Sequence, residues 1–469
     1  MHPTDVERMM WSMRQGVASG RWKRRAVGLL GFALLLMSPL IVQSAPAATP
    51  TRPNIVFILT DDQSMASLSA MPYLSSKPGG NWVEFTNAFV NVPFCCPSRA
   101  SILTGQYAHH HGINNSNGAR LDDSSTIATW LDDAGYETGI VGKYLNGYPF
   151  ARKAPDYIAP GWDYWAVFNR VDHYDYSLNE NGTAVSYGHG PEDYSTDVLY
   201  RKAIEFIDGT APDDPFLLYF STHAPHLVNT PAPRHKGHYA DLAIPQRPNF
   251  NEADVSDKPA WIRDLPLGTK RAMEKRQREA AETLLAVDEA IQGIVEKLDA
   301  RGQLDNTVIV FMTDNGFSFG SHRWGQKLCV YEECVRTPLL IRYPGLGTDR
   351  VESHLVSNVD IAPTFAQLAR VTPRHPVDGR SLVPLLNGAT PTWRTSLLLE
   401  QQEPTPGSRT PPFWAVRTAE WKYVELAGGE KELYDLVHDP YELQNVVEDP
   451  ANDSVIASLE VELDRLRSD

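Results

Sequence analysis

Residues 55–62 read IVFILTDD, and residues 308–315 read VIVFMTDN. Each stretch is a short apolar run, rich in β-branched and aromatic residues, that ends in acidic or amide side chains. Such runs are typical of strands buried on both faces of a parallel sheet. Because ligands bind beyond the carboxyl ends of the strands in an open α/β sheet, the two polar ends are expected to meet. The repeated pattern predicts an α/β fold with a functional centre at this edge.

Strands and helices alternate along most of the chain, which predicts a mostly parallel sheet with helices on both faces. Strands are expected at residues 54–60, 138–142, 216–221, 307–313 and 338–343, and helices at 98–104, 126–133, 194–207 and 273–298. Residues 149–193 and 231–266 are rich in aromatic residues, Gly or Pro, and we expect both to be irregular. The length of the first suggests an insertion that faces the substrate.

The pattern changes near Arg380. Short strands are expected close to residues 396–400, 413–417 and 422–425, followed by a helix near 455–467. We therefore expect a main domain over residues 48–379 and a small α+β subdomain over residues 380–469.

The first residues of the chain indicate export. A basic stretch, RWKRR at residues 21–25, precedes an apolar run at 26–42, and Ala-Pro-Ala follows at 45–47. This order is typical of a secretory signal peptide, here residues 1–47. The alternative is a retained membrane anchor, although the run is short for a span and contains Pro39. We expect a secreted or extracytoplasmic protein that stays on a membrane only if the signal is not cleaved.

The charge balance restricts the partners. The chain has 43 Lys and Arg against 58 Asp and Glu, a net charge of −15. An acidic surface disfavours nucleic acid, so we expect no nucleic-acid partner. An anionic substrate needs a local group of cations instead.

The polar strand ends have the composition of a metal site. Asp61, Asp62, Asp314 and Asn315 offer three carboxylates and an amide oxygen. Oxygen ligands suit a hard divalent ion, Ca²⁺ as first choice and Mg²⁺ as second. Residues of these types also serve as helix caps or turn residues. The occurrence of the pattern at two strand ends favours the metal site.

Residues 91–105, NVPFCCPSRASILTG, hold the candidate reaction centre. Cys95 precedes the helix expected at 98–104, where the backbone favours an anion, and Arg99 follows closely. A thiolate nucleophile is one interpretation. Beside a hard metal ion, an oxygen nucleophile fits better. The other two cysteines, Cys329 and Cys334, either form a disulfide or remain free thiols.

These motifs resemble those of the type I sulfatases. Residues 95–99 match the family's C-x-P-S-R signature, in a register that selects Cys95 and not Cys96. The resemblance covers nearly all of the chain after the signal: the two strand ends, Gly142 to Tyr144, Pro225 and His226, His322, a block from Lys327 to Pro338, and residues 433–440. Residues 142–148 (GKYLNGY) are similar to the N-acetylglucosamine-6-sulfatase and extracellular glucosamine-6-sulfatase branch. The resemblance implies an alkaline-phosphatase-like fold.

The resemblance also implies residue roles. Cys95 is oxidised to formylglycine by a formylglycine-generating enzyme, and its hydrate attacks sulfur. Calcium is held by Asp61, Asp62, Asp314, Asn315 and an oxygen of residue 95. The other implied roles belong to polar and basic residues: Arg99 stabilises the hydrate, Lys143, Lys327 and His226 contact the sulfate, Lys327 or His322 assists the leaving oxygen, and Asn146 replaces a histidine common in the family.

The implied substrate is a sulfate ester, with 6-O-sulfated N-acetylglucosamine in a glycan as first choice. Aryl or alkyl sulfates, and phosphate or phosphonate esters on the same scaffold, are the alternatives. A more remote alternative is a non-catalytic protein that binds sulfated glycans and leaves Cys95 unmodified.

Overall fold

The computed structural model describes residues 52–469, except 151–153, 155 and 406, so the predicted signal peptide lies outside the described residues. The described residues form sixteen strands: β1 (Asn54–Thr60), β2 (Trp82–Phe85), β3 (Ala88–Phe89), β4 (Glu137–Gly142), β5 (Tyr164–Arg170), β6 (Ser177–Glu180), β7 (Thr183–Ser186), β8 (Phe216–Ser221), β9 (Thr307–Thr313), β10 (Leu339–Arg342), β11 (Arg350–Glu352), β12 (Val356–Ser357), β13 (Ser396–Gln401), β14 (Phe413–Thr418), β15 (Trp421–Leu426) and β16 (Lys431–Asp435).

Eleven α-helices accompany these strands within the described residues. They are α1 (Pro72–Ser75), α2 (Cys95–Thr104), α3 (Ala108–His111), α4 (Ile127–Asp133), α5 (Ser195–Gly209), α6 (Ala260–Arg263), α7 (Lys270–Ala300), α8 (Glu332–Val335), α9 (Ile361–Ala369), α10 (Val383–Leu386) and α11 (Asp453–Ser468). None of the helices in this part of the chain combines the length and the apolar character needed to cross a membrane.

The main sheet has ten strands in the order β11-β2-β10-β9-β1-β8-β4-β5-β6-β7. The five central strands, from β9 to β5, are parallel, whereas β10 and β6 run antiparallel to their central neighbours. The predicted mostly parallel sheet is confirmed. Because β1 lies at its centre between β8 and β9, the residues that follow these three strands share one edge.

Strand β1 divides the core into two layers, because successive side chains of a strand point to opposite faces. Ile55, Phe57 and Leu59 pack with residues of α2, α4 and α9. Val56 and Ile58 pack with residues of α5 and α7 on the other face. Each fully buried side chain of this size contributes about 1.5–3 kcal/mol. Burial on both faces explains why the strand is apolar along its whole length.

A second sheet follows in the C-terminal part of the chain. Strands β13 to β16 form an antiparallel meander, and α11 packs across one face of it. The other face packs against Trp324, Val330 and Tyr331, which belong to the segment between β9 and β10. The C-terminal sheet therefore supports a segment that begins at the central edge of the main sheet.

Two expectations about local structure are wrong. Helix α2 begins at Cys95 and not at Ser98, because Pro97 falls inside its first turn, where proline needs no hydrogen-bonded amide. Residues 149–193 are not wholly irregular, since they contain β5, β6 and β7. The run YWAVFNR of β5 has the aromatic and β-branched residues of a buried strand, but Gly and Pro on its N-terminal side obscure it. Residues 231–266 contain only α6 among the named helices and strands, as expected.

Candidate active site

The site begins where β1 and β9 end. The two strands are parallel neighbours in a register that pairs Thr60 with Thr313, so Asp61 and Asp62 stand beside Asp314 and Asn315. The amide Nδ2 of Asn315 donates to Oδ1 of Asp62 at 2.8 Å. All four side chains are buried, with at most 3% exposed. The predicted meeting of the strand ends is observed, and we call these four residues the acid cluster.

The acid cluster fits a divalent cation. Oδ1 of Asp61 and Oδ1 of Asn315 are buried and accept no hydrogen bond from the described residues. Leaving such oxygens unpaired costs about 1–3 kcal/mol each. Ligand atoms of Asp61, Asp314 and Cys95 lie within 4.8 Å of one another. A donor set made of carboxylate and amide oxygens with unused lone pairs suits a hard ion.

Each carboxylate of the acid cluster is paired with its own cation. Nζ of Lys143 contacts Asp61, and Nζ of Lys327 lies 2.7 Å from Oδ1 of Asp62. Nε of Arg99 donates to Oδ2 of Asp314 at 2.7 Å. The structure thus brings three of the predicted sulfate-contacting or stabilising cations to the predicted metal ligands.

Nearby charges together outweigh the effect of burial on the pKa values of Asp61 and Lys327. Burial opposes ionisation of Asp61, but the charges of Lys143 and then His226 hold the pKa of this carboxyl well below its usual value. Burial likewise disfavours the ammonium form of Lys327, but the Asp62 carboxylate raises the pKa of this lysine. Both side chains are therefore charged at neutral pH.

The two adjacent cysteines have different surroundings. Cys95 is the first residue of α2, and its Sγ lies 3.6 Å from Nζ of Lys327. The same Sγ lies within 4.8 Å of carboxylate oxygens of Asp61 and Asp314, close enough for one metal ion to contact all three. Cys96 instead lies in the hydrophobic core. Burial raises the pKa of the Cys96 thiol to about 12, and the neighbouring Cys95 adds to this effect. Only Cys95 is therefore placed for chemistry at the acid cluster.

Arg99 forms hydrogen bonds to residues at the ends of three strands. Besides Asp314, its guanidinium donates to the carbonyl oxygen of Lys143 at 2.8 Å and to Oγ of Ser221 at 2.7 Å. The side chain is fully buried. Because these partners follow or end β9, β4 and β8, Arg99 fixes the position of α2, and hence of Cys95, relative to the sheet edge.

Two histidines after β8 complete the site. Nε2 of His226 lies 3.5 Å from Oδ2 of Asp62, and Nδ1 of His223 lies 3.7 Å from Oδ2 of Asp61. Burial lowers the pKa of His223 to about 4, although Asp61 opposes this effect. His226 was predicted, whereas Ser221 and His223 were not. Part of the signal was present, because the strand at β8 was predicted, but its pairing with β1 is seen only in the structure.

Two predicted residues make their contacts elsewhere. Nδ1 of His322 lies 2.6 Å from Oε2 of Glu252, and its Nε2 lies 3.2 Å from Nδ2 of Asn249. The backbone of His322 has a positive φ of 52°, and its ring packs on Tyr331 under the C-terminal sheet. The main chain of Asn146 lies beside Cys96, and its Oδ1 is buried without a hydrogen-bond partner among the described residues. The catalytic roles of both residues stay predictions.

The other two cysteines form a disulfide, one of the two alternatives from the sequence. Cys329 and Cys334 are bonded with their Cα atoms 5.5 Å apart. The bridge closes a short loop that begins two residues after Lys327. It therefore restrains the segment that carries this lysine.

Comparisons with known proteins agree with this site. A family model described as "Sulfatase" matches residues 53–371, and one described as "N-sulphoglucosamine sulphohydrolase, C-terminal" matches residues 320–469. The N-acetylglucosamine-6-sulfatase of Capra hircus is 32% identical over 459 residues, which cover 86% of this chain and 81% of the relative. The chain belongs to the sulfatase family.

Solved structures support the same assignment. One, a protein in complex with its substrate D-glucosamine-2-N,6-O-disulfate, has a TM-score of 0.76 and 26% identity, covering 89% of this chain and 98% of that chain. The phosphonate monoester hydrolase of Agrobacterium radiobacter has a TM-score of 0.75 over 89% of this chain and 96% of its own, but at 22% identity it shows the fold alone. The protein is a sulfuric ester hydrolase with the expected alkaline-phosphatase-like fold.

Proposed function

We propose that this protein removes sulfate from 6-O-sulfated N-acetylglucosamine or a related glycan, using formylglycine formed from Cys95 and a bound calcium ion. The observation that carries the proposal is the position of Cys95, whose Sγ lies within 4.8 Å of ligand atoms of Asp61 and Asp314 and 3.6 Å from Nζ of Lys327. The likeness of the chain to an N-acetylglucosamine-6-sulfatase supports the substrate class.

The proposed ion is held by Asp61, Asp62, Asp314, Asn315 and residue 95. With both groups in place, the formylglycine supplies a hydrated aldehyde as an oxygen nucleophile, and the ion acts as a Lewis acid. Magnesium is the second choice for the ion. The unpaired oxygens of Asp61 and Asn315 support a cation of either kind at this position.

The cations of the site bind the ester and offset the charge that develops on it. Lys327 presents its ammonium group beside residue 95 and Lys143 beside Asp61, where both can donate to the sulfuryl oxygens. Arg99 is held by three acceptors and therefore acts mainly by orienting residue 95. A local group of cations explains how an acidic protein accepts an anionic ester.

A proton must reach the oxygen of the departing sugar. Of the two residues predicted for this step, Lys327 lies beside residue 95, whereas His322 is bonded to Glu252 and Asn249. We assign the step to Lys327. His226, only partly buried and near Asp62, is the remaining donor toward the substrate.

The proposal includes maturation and export. A formylglycine-generating enzyme would modify Cys95, and residues 1–47 would direct secretion as a signal peptide. The disulfide between Cys329 and Cys334 supports an oxidising compartment. The catalytic domain would span residues 48–379 and the C-terminal subdomain residues 380–469.

The test is a substrate panel assayed with protein co-expressed with a formylglycine-generating enzyme. We expect kcat/KM for N-acetylglucosamine-6-sulfate to exceed that for p-nitrophenyl phosphate and for a phosphonate monoester by at least about a hundredfold. Comparison with p-nitrocatechol sulfate separates a sugar sulfatase from an arylsulfatase. Preference for the phosphorus esters, or binding of sulfated sugar without turnover by modified protein, would contradict the proposal.

A further inference from the structure

A groove of about 380 Å³ opens beside the acid cluster. Ser64 and Phe317 line it and follow Asp62 and Asn315 by two residues each. Two residues of chain span at most about 7 Å, so the groove borders the site already described. Arg247, Glu333, Arg336 and Tyr441 also line it. We call it the side groove.

The side groove contains two cations without acidic partners. Within the part of the chain that the structure describes, neither Arg247 nor Arg336 forms an ion pair with a carboxylate. Nε of Arg336 donates to the carbonyl oxygen of Thr86 at 2.9 Å, while Arg247 is exposed. Burial lowers the pKa of Arg336, and Arg417 and Arg247 lower it further against the opposing charge of Glu332. Arg336 thus lies within electrostatic range of Arg247, and two of its nitrogens, Nε and Nη2, are occupied by the carbonyl oxygen of Thr86.

The acidic residues of the groove are bound mainly by other partners, although the charge of Glu332 still acts on Arg336. Glu332 accepts from Nε of Arg417 at 3.0 Å and lies 3.1 Å from Nζ of Lys422, both outside the lining. Oε1 of Glu333 accepts from Nδ2 of Asn249 at 2.8 Å, and its Oε2 is buried without a hydrogen-bond partner among the described residues. The groove thus offers guanidinium groups toward a ligand, whereas the unpaired oxygen of Glu333 is buried away from it.

Aromatic side chains supply the rest of the wall. Phe250, Phe317, Phe319 and Tyr441 line the groove, and the rings of Phe317 and Phe319 lie 4.7 Å apart. An apolar wall with a few polar groups is typical of small-molecule sites, and the volume falls in their range. A sugar ring offers C–H faces to such a wall and, when acidic, an anion to guanidinium groups.

We propose that the side groove binds a second anionic group of the sulfated sugar substrate, in addition to the ester that is cleaved. Arg247 and Arg336 are the cations that recognise it, and the aromatic wall packs on the sugar ring. This inference rests on the proposed function. The second anion has two possible sources, an N-sulfate on the same sugar or a carboxylate on the adjacent sugar.

Three substrates distinguish these sources: N-acetylglucosamine-6-sulfate, glucosamine-2-N,6-O-disulfate, and a disaccharide that joins a uronate to 6-sulfated N-acetylglucosamine. We expect kcat/KM for at least one doubly anionic substrate to exceed that for the first by about tenfold. Arg247→Gln should remove most of this preference. Arg380→Gln, an exposed arginine outside the groove, is the matched control and should keep it. The doubly anionic substrate whose higher kcat/KM is lost in Arg247→Gln identifies the source of the anion.

Binding measurements separate the groove from the chemistry. Calorimetric titration of the full chain carrying Cys95→Ala should show about tenfold weaker binding of the preferred sugar when Arg247→Gln is added. Lack of turnover of every sulfated sugar by modified protein would contradict the proposed function alone. Turnover or binding with no preference for a second anion would overturn the proposed role of the side groove. A preference that Arg247→Gln leaves intact would overturn it as well.

Discussion

Two buried groups of charged residues compensate their charges in different ways. In the C-terminal network, Glu332 is bound by Arg417 and Lys422, and Nζ of Lys422 also lies 2.5 Å from Glu442. Nζ of Lys422 also donates to the carbonyl oxygen of Val330 at 2.9 Å, so the network joins the C-terminal sheet to the segment that carries Lys327.

The acid cluster also has cations, but it keeps unused ligand atoms. Lys143 and Lys327 contact one side of Asp61 and Asp62, while Oδ1 of Asp61 and Oδ1 of Asn315 accept no hydrogen bond from the described residues. Buried charges that are paired with one another stabilise the fold, whereas buried oxygens that accept no hydrogen bond are available to bind a ligand.

The largest effect is expected at Cys95. Cys95→Ala should lower kcat for a sulfated sugar by at least about a thousandfold, because it removes the proposed nucleophile. Steady-state kinetics and a thermal unfolding curve measure activity and folding separately. The neighbouring variant Cys96→Ala is the control, and it should keep activity within about tenfold because this thiol lies in the core. Equal losses in the two variants would contradict the assignment.

The C-terminal network should respond through stability. Lys422→Met leaves Glu332 and Glu442 buried with one cation fewer, and we expect about 3–5 kcal/mol less free energy of unfolding. Urea denaturation measures it. Lys275→Met is the control, since Lys275 is 73% exposed in an ion pair with Glu279 and should change stability by less than about 1 kcal/mol. A loss below about 1 kcal/mol for Lys422→Met would show that the network is not structural.

The acid cluster should respond through metal affinity. Asp314→Asn removes one carboxylate charge, so Ca²⁺ should bind at least about tenfold more weakly in a calorimetric titration of metal-free protein. Asp305→Asn is the control, because the Asp305 side chain is 99% exposed. Unchanged affinity in Asp314→Asn would place the ion elsewhere.

The effect that depends most on conditions concerns a buried group that stays neutral. Burial lowers the pKa of His111 to about 3, from 6.5, and His109 adds to the effect. The unfolded chain then binds a proton that the folded chain does not, so this stability is present above pH 6.5 and is lost as the pH falls toward 3. His111→Gln should make unfolding less pH-dependent between pH 6 and 4, by up to about 1.4 kcal/mol per pH unit in urea titrations.

His438→Gln provides the comparison for the histidine, because the His438 side chain is 83% exposed. A pH dependence that is the same in wild type and His111→Gln would show that His111 is protonated in the folded protein.

The strand ends could be predicted because their signal is local. The apolar runs before Asp61 and Asp314 identify two buried strands. The polar residues that follow are not of the types that form a hydrophobic core. Cys95 was found from a signature whose register excludes Cys96. The confirmed family then agrees with what these few positions indicated.

Other features depend on contacts that sequence spacing does not reveal. His322 follows β9 in sequence, but in the fold its ring lies against Glu252 and Asn249. His223 and Ser221 join the site because β8 lies beside β1, a strand order that had to be observed. Strand β5 was missed because it extends the sheet from within a segment whose composition favours loops.

The central claim is that residue 95 carries an aldehyde next to a metal-binding acid cluster. Mass spectrometry of the peptide containing residue 95, from active secreted protein, tests it most directly. Conversion of cysteine to formylglycine lowers the peptide mass by about 18 Da, and the account predicts this shift at Cys95 with Cys96 unchanged. An unmodified Cys95 in material that turns over sulfated sugar would contradict the account.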